Sequence, residues 1–270
     1  MKTYNLKCQF CGIPLPDPNY RLSQRNIAQR TCKSCRAKQC RRDGRIPMEK
    51  NAAIEITPNM EQVIIGTLLG DGCFAKPPKG SINWGLEFKH STKQDQYARY
   101  KALLIEPIIS KINNIPPNPK PTFIKGKKVK DNGRTRVRTI RHPYFTELSA
   151  TFIQKGKKVV PSNIGSLLGP LALAIWHLDD GCYTKPFTDK RGYSHKSVIR
   201  LCSFGFSTEE NTLLRETLFN NFGLISKPFY SNKQKQYEGI ALRGDQANMF
   251  LDIINPFLSG TGLEYKGGIK

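Results

Sequence analysis

The amino-acid sequence predicts an α+β protein in which two similar αββαββα halves follow a small cysteine-rich module. The first observation behind this prediction is a seven-residue segment that occurs twice, as Asp71-Gly72-Cys73-Phe74-Ala75-Lys76-Pro77 and as Asp180-Gly181-Cys182-Tyr183-Thr184-Lys185-Pro186. The second is that the elements predicted after each copy come in the same order. The third is a pair of Cys-x-x-Cys spacings near the N-terminus. A chain of 270 residues is long enough to bury a sizeable core.

The first half begins at Thr57-Pro58, because threonine is a favourable N-cap and proline a favourable first helical residue. An apolar run then predicts a helix that ends at Asp71. The remaining predicted elements are a strand over about 82–90, a helix over about 93–110, strands over about 121–130 and 134–141 joined by a turn at Asp131-Asn132-Gly133, and a helix over about 144–153.

The second half repeats this order. Pro170 begins a helix that ends at Asp180, and Ser207-Thr208-Glu209-Glu210 predicts a capping box at the start of a later helix with Gly223 as its C-cap. The other predicted elements are strands over about 182–187, 197–205, 227–231 and 237–243 and a helix over about 245–257.

The N-terminal block carries Cys8, Cys11, Cys32 and Cys35, and two such pairs can supply the four thiolates of a tetrahedral Zn²⁺ site. The alternative is a redox-labile cluster without metal, and Cys40 is either a spare thiol or a substitute ligand. The predicted division is a zinc-binding module over 1–45, a linker over 46–56, a first half over 57–160 and a second half over 161–270.

Charge points to a polyanionic partner. The chain has 43 Lys and Arg against 21 Asp and Glu, for a net charge of +22. Lysine and arginine release condensed counterions when they meet phosphates, which favours nucleic acid over a merely solvated surface. We find no apolar run near ~20 residues and no signal peptide, so the sequence predicts a soluble intracellular protein, in cytoplasm, nucleoid or an organelle, without a membrane partner.

Each apolar helix ends in an acid followed by glycine. A carboxylate is unfavourable at a helix C-terminus, where the helix dipole is already negative. Because this occurs twice, the sequence predicts a paired site in which Asp71 and Asp180 hold cations.

The two motifs resemble those of the LAGLIDADG homing endonucleases, in particular the single-chain members with two motifs. The first motif is Ile64-Ile65-Gly66-Thr67-Leu68-Leu69-Gly70-Asp71-Gly72, and the second is Leu173-Ala174-Ile175-Trp176-His177-Leu178-Asp179-Asp180-Gly181. The second departs from the family pattern at Ile175, where a glycine is usual. Small residues on the helix faces favour close packing of the two helices; they are Gly66, Gly70, Ala172 and Ala174.

The resemblance implies a saddle of antiparallel sheets over the DNA major groove and a catalytic site between the halves. The resemblance also implies that the last acid of each motif, Asp71 and Asp180, binds catalytic Mg²⁺ or Mn²⁺. It implies that Lys158 and Lys266 lie near the scissile phosphates. Asp179 is expected to be a cap or a surface residue. The predicted DNA-binding residues are Lys125, Lys127, Arg134, Arg136, Arg138, Lys196, Arg200 and Arg243.

The leading functional prediction is a monomeric, site-specific endonuclease for double-stranded DNA, with a long target that is roughly pseudo-palindromic or asymmetric. No intein splicing blocks are visible in the chain. A second hypothesis is a maturase that binds intron RNA, and a third is a DNA-binding regulator that no longer cleaves. Both acids of the pair are present, which favours the endonuclease over a purely binding role.

Overall fold

The computed structural model describes residues 51–79, 81–118, 122–124, 127–129, 131–231 and 237–269. The four cysteines of the predicted zinc module, Cys40 and Lys125 lie outside these residues, so their predicted roles stay predictions. For 122–124 and 127–129 the backbone alone is described.

The first half contains three α-helices and, in chain order, strands that belong to one sheet and to two short hairpins. The elements are α1 (Pro58–Leu69), β1 (Cys73–Ala75), β2 (Gly85–Ser91), α2 (Asp95–Leu104), β3 (Ile109–Ile115), β4 (Thr122–Ile124), β5 (Lys127–Val129), β6 (Arg134–Thr139), α3 (Pro143–Phe152), β7 (Ile153–Gln154) and β8 (Lys157–Lys158). Thr57 caps α1 as predicted, because its hydroxyl accepts a hydrogen bond of 3.3 Å from the Met60 amide.

The second half follows the same plan. Its elements are α4 (Ile164–Leu167), α5 (Pro170–Asp180), β9 (Gly181–Thr184), β10 (Phe187–Thr188), β11 (Ser194–His195), β12 (Val198–Leu201), α6 (Thr208–Phe222), β13 (Lys227–Tyr230), β14 (Glu238–Arg243) and α7 (Asp245–Ile254). The capping box between Ser207 and Glu210 is confirmed, and Gly223 ends α6 in the left-handed conformation at φ 67°.

Each half contributes one four-stranded antiparallel sheet, in the order β1-β2-β6-β3 and the matching order β9-β12-β14-β13. The strands after the two motifs pair in the same register, since Cys73 lies opposite Glu87 and Cys182 lies opposite Arg200. The predicted fold class, α+β with two αββαββα halves, is therefore confirmed.

The motif helices α1 and α5 form the centre of one hydrophobic core that both halves share. A Cβ atom on Gly66 would lie 2.4 Å from the Ala172 carbonyl oxygen and 2.7 Å from Ile175 Cβ. Gly66 thus makes room for the Ile175 side chain, and the absence of glycine at position 175 does not prevent close packing of the helices.

Two predicted elements differ from the structure, and one observed hairpin is not among the predicted elements. The helix predicted over 93–110 ends at Leu104, and 109–115 is the edge strand β3, because Pro107 has no amide hydrogen to continue a helix. The segment 121–130 is not part of the sheet: β4 and β5 pair with each other, so Lys127 lies on a separate two-stranded ladder. The hairpin β10–β11 was not predicted.

No helix among the described residues has both the length and the apolar composition needed to span a bilayer.

Candidate active site

The two motif acids emerge where α1 and α5 end. After α1, the Gly70 amide donates to Gly66 O and the Gly72 amide to Thr67 O, at 3.1 and 2.7 Å, which leaves Asp71 in the turn with 43% of its side chain exposed. Asp180 is the last residue of α5, and the next amide, from Gly181, donates to His177 O.

Burial and mutual repulsion disfavour the charged forms of these acids. Burial, followed by the repulsion from Asp71 and Asp179, raises the pKa of Asp180 to about 7. Burial and then Asp179 raise the pKa of Asp71 above its ordinary value. None of the ion pairs that the described residues form involves Asp180. Hard carboxylate oxygens that form no ion pair with a lysine or arginine fit a divalent cation such as Mg²⁺.

Lys158 and Lys266 occupy corresponding places beside the two acids. Lys158 Nζ donates to Gly70 O at 2.8 Å and to Gly72 O at 3.3 Å, on both sides of Asp71. Lys266 Nζ donates to Leu178 O at 2.6 Å and to Asp179 O at 3.4 Å, just before Asp180. Burial lowers the pKa of both lysines, although the nearby acids act in the opposite direction. Each lysine thus binds the carbonyls of one helix end and forms no direct ion pair with the adjacent carboxylate.

Asp179 is neither exposed nor a simple cap, contrary to the expectation from sequence. Its side chain is fully buried and forms an ion pair with the equally buried Lys101, with Nζ 2.8 Å from Oδ1. Asp179 Oδ1 also accepts a 2.7 Å hydrogen bond from the Tyr97 hydroxyl, and Oδ2 accepts one of 3.2 Å from the Asp71 amide. Tyr97 and Lys101 both lie on α2, in the other half of the molecule.

His90 is a second buried polar residue at the site. Its Nδ1 lies 3.4 Å from Asp71 Oδ2 and its Nε2 lies 3.8 Å from Asp179 Oδ1. Burial, and then the positive charge of Lys101, lower the pKa of His90 to about 3, so the ring is neutral at physiological pH. Asp71, His90 and Asp179 each offer a ligand atom within 4.8 Å of the others. Because Lys101 and Tyr97 already engage the Asp179 oxygens, Asp179 is the weakest ligand candidate of this group.

The cationic residues predicted on β6 do alternate with inward-facing residues. Arg134 is exposed and Arg136 and Arg138 are partly exposed, whereas Thr135, Val137 and Thr139 are buried. The first half also places Glu87 among these cations: Arg136 lies 2.5 Å and Arg138 2.9 Å from its carboxylate, and Lys89 lies 2.8 Å from it.

The second sheet carries a different set of predicted DNA-binding residues. Arg200 on β12 is partly exposed and donates to the Thr184 hydroxyl at 3.3 Å. Arg243 ends β14 and is exposed, as is Lys196 just before β12, while Val198 between Lys196 and Arg200 is buried. These residues lie on or beside a sheet as predicted, and their contacts with DNA stay predictions.

The sequence reasoning missed Tyr97, Lys101 and His90. A signal for the first two was present, because Tyr97, Ala98, Lys101 and Ala102 have the spacing of one helical face, and a lysine on that apolar face needs an acid. His90 gave no comparable signal. It lies two residues after Phe88 on strand β2, and the sequence alone does not show which strands and helices contact β2.

Comparison with known proteins gives a consistent set of relatives. The chain is 29% identical over 210 residues to Protein RecA of Mycolicibacterium flavescens, a match that covers 76% of this chain and 45% of that protein. It is 26% identical over 213 residues to cytochrome b mRNA maturase bI2 of Debaryomyces hansenii, with 77% of this chain and 73% of that protein covered. It is 24% identical over 214 residues to DNA endonuclease I-ChuI of Chlamydomonas applanata, with 76% and 93% covered.

The chain spans less than half of the length of the RecA relatives. Among solved structures, the homing endonuclease I-WcaI bound to its DNA recognition sequence is similar in fold, with a TM-score of 0.61 and 22% identity over 76% of this chain and 84% of that one. The LAGLIDADG DNA endonuclease family matches residues 61–250, which include both motifs, both sheets and the acids at the helix ends. The chain therefore belongs to the LAGLIDADG DNA endonuclease family.

Proposed function

We propose that this chain is a site-specific endonuclease that hydrolyses phosphodiester bonds in double-stranded DNA. The observation that carries the proposal is that Asp71 and Asp180, one from each half, lie close enough for Asp71 to raise the pKa of Asp180, and that a lysine binds the backbone next to each of them. The arrangement supplies one set of polar groups for each DNA strand. Because one chain contains both halves, the active form is a monomer.

The carboxylates of Asp71 and Asp180 would hold Mg²⁺ or Mn²⁺. When bound, such a cation polarises the phosphoryl group and lowers the pKa of its water. Lys158 and Lys266 place a positive charge next to each acid, where it stabilises negative charge that develops on the phosphate oxygens or orders the attacking water. The lysines are held by backbone carbonyls, so neither forms a direct ion pair with the acids that bind the cation.

The two sheets position the DNA. Arginines on β6, β12 and β14 offer forked donors to guanine edges, and lysines offer point charges to phosphates. The net charge of +22 supports tight, salt-sensitive binding to duplex DNA.

The test begins with selection of cleaved sites from a randomised duplex library in Mg²⁺. With the selected target in a plasmid, Asp71→Asn and Asp180→Asn should each lower the cleavage rate by about 10²–10³ and retain specific binding, because the amide keeps the size but loses the charge. Asp252→Asn is the matched control, since Asp252 is exposed on α7. Parental cleavage rates in both motif variants would overturn the proposal.

A maturase that binds intron RNA is the second candidate, and the sequence similarity to cytochrome b mRNA maturase bI2 favours it. It needs the basic sheets but neither aspartate. Splicing of a cognate intron that survives in the Asp71→Asn/Asp180→Asn double variant would support this activity, and splicing lost together with cleavage would count against an independent maturase role.

We further propose that Cys8, Cys11, Cys32 and Cys35 bind one structural Zn²⁺, on the basis of their paired spacing. Metal analysis of the full chain should give one equivalent of zinc, and Cys32→Ser should lose it. Full retention of zinc by that variant would contradict this ligand set, whereas loss in Cys40→Ser would add Cys40 to it.

A further inference from the structure

The residue before the motif acid differs between the halves: it is Gly70 in the first and Asp179 in the second. A carboxylate in this position is costly, because its side chain is fully buried. A buried charge persists when other groups pair with it and satisfy its oxygens. The contacts of Asp179 therefore indicate what the residue does.

Two residues of the opposite half fix the carboxylate. Lys101 Nζ lies 2.8 Å from Oδ1 and 3.0 Å from Oδ2 of Asp179, and the Tyr97 hydroxyl lies 2.7 Å from Oδ1. The ammonium group is itself held over the Phe88 ring, 4.5 Å from the ring centroid. Since α2 belongs to the first half and Asp179 to the second, this ion pair joins the halves directly beneath the motif acids.

The remaining hydrogen bond of the Asp179 side chain reaches the candidate catalytic residue itself. Its Oδ2 accepts the Asp71 amide at 3.2 Å. Gly70 makes this approach possible, because a Cβ there would lie 2.4 Å from Asp179 Cβ and 2.7 Å from Oδ2. The carboxylate thus occupies the space that the glycine leaves and fixes the turn that carries Asp71.

We propose that Asp179 is a positioning residue: held by Lys101 and Tyr97, it fixes the backbone of Asp71 from the other half and is not itself a cation ligand. This inference rests on the proposed endonuclease function. The competing assignment is that Asp179 binds the cation together with Asp71 and His90, whose ligand atoms lie nearby.

Single substitutions do not separate these roles. Removing either Asp179 or Lys101 leaves the other charge buried without a partner, which destabilises the fold whatever the residue does in catalysis. The test therefore uses two double variants that both remove the ion pair, Asp179→Asn/Lys101→Met and Asp179→Ala/Lys101→Met. They differ in whether position 179 keeps an oxygen that can accept the Asp71 amide.

Tyr97 allows the asparagine to fit. Its hydroxyl has one hydrogen and two acceptors in reach, Asp179 Oδ1 at 2.7 Å and the Ile175 carbonyl at 3.1 Å. If the hydrogen turns to Ile175 O, the hydroxyl oxygen can accept from the side-chain amide group of the introduced asparagine. The carbonyl oxygen of that asparagine side chain then accepts from the Asp71 amide as Asp179 Oδ2 does.

We expect the Ala/Met variant to cleave about ten- to a hundredfold more slowly at saturating DNA, with little change in DNA affinity, because it displaces a reacting group without altering the sheets. The Asn/Met variant should recover most of the parental rate. Equal, large losses in both variants would show that the negative charge of Asp179 is required, as for a cation ligand, and would overturn the proposal. Parental rates in both would show that the contact does not position Asp71.

A second readout is independent of cleavage. Amide hydrogen exchange at Asp71, followed by NMR, should be faster in the Ala/Met variant and protected in the Asn/Met variant and in the parent. Melting temperatures identify any variant that fails to fold. If the parent cleaves no DNA, the endonuclease proposal fails, but the exchange data still decide whether Asp179 fixes Asp71. Equal protection of the Asp71 amide in all three proteins would overturn the positioning role of Asp179.

Discussion

At the scale of single residues, the two sheets differ most clearly at one matched position. Glu87 lies opposite Cys73 and Arg200 lies opposite Cys182, so an acid in the first half corresponds to a base in the second. Burial would raise the pKa of Glu87, but hydrogen bonds from Arg136, Lys89 and Arg138 outweigh it and hold the pKa at about 2. The ionised carboxylate orders these cations and offsets part of their charge.

Glu87→Gln should therefore raise the affinity for random duplex DNA at low salt and reduce the preference for the selected target. The two arginines become free to contact phosphates, and each added phosphate contact steepens the salt dependence by about 0.9 in slope. Binding titrations at several salt concentrations measure both effects. Glu106→Gln, at an exposed glutamate outside the sheets, is the control. Unchanged affinity and slope would contradict the role given to Glu87.

Neighbouring lysines offer a sharper comparison at the candidate active site. Lys158 is partly buried and binds Gly70 O, whereas Lys157 is exposed. Lys158→Met should lower the cleavage rate by about 10²–10³, because a charge next to the reacting phosphate is lost, and it should preserve binding. Lys157→Met should cleave like the parent. Equal rates for the two variants in single-turnover assays would exclude this role for Lys158.

At the scale of elements, the closest packing is between α1 and α5. Gly66→Ala should destabilise the fold by about 1–3 kcal/mol, because the new methyl group meets the Ala172 carbonyl and the Ile175 side chain in a filled core. Gly165→Ala is the matched control, since a Cβ on Gly165 meets nothing within 4 Å. Urea unfolding measures the stability of both variants. Equal stability of the two variants would contradict the close contact between α1 and α5 at Gly66.

Such contacts explain which elements were predictable from the sequence. The motif helices begin where predicted because N-caps, prolines and apolar runs act locally; α5 ends at Asp180 as expected, whereas α1 ends at Leu69 and leaves Asp71 in the following turn. The edge strand β3 was missed, because its pattern is partly exposed and its pairing with β6 is a long-range interaction. The ion pair between Lys101 and Asp179 was missed for the same reason: the residues are far apart in sequence, and neither half alone indicates its partner.

The buried histidine of α5 makes stability depend on pH. Burial lowers the pKa of His177 to about 4, and its Nε2 contacts Lys266 O at 3.0 Å. The unfolded chain takes up a proton near pH 6.5 and the folded chain does not, so stability falls as the pH drops from about 6.5 to about 4, by up to about 3 kcal/mol. The difference in unfolding free energy between the parent and His177→Gln should change between about pH 6.5 and about pH 4. A difference that stays constant over this pH range would contradict the role given to His177.

At the scale of the whole molecule, two similar halves share one core but surround their acids differently. Asp71 is held through its amide by Asp179 and contacts His90, whereas none of the described ion pairs involves Asp180. The sheets differ as well, at Glu87 and Arg200. Divergence of this kind suits a DNA target whose two half-sites have different sequences.

This asymmetry should appear in the order of strand cleavage. Because the two acids are held by different contacts, Asp71 through its amide by the Asp179 side chain and Asp180 through its carbonyl by the Cys202 amide, the two strands should be cut with different rate constants. Supercoiled plasmid should then pass through a nicked circle before it becomes linear. Strand-specific end labels measure the two constants. The Asp179→Ala/Lys101→Met variant should reduce the difference, since it releases Asp71 from the contact that distinguishes it, while Asp252→Asn should preserve it. Identical rate constants on both strands of the parent would mean that the asymmetry around the acids has no consequence for catalysis.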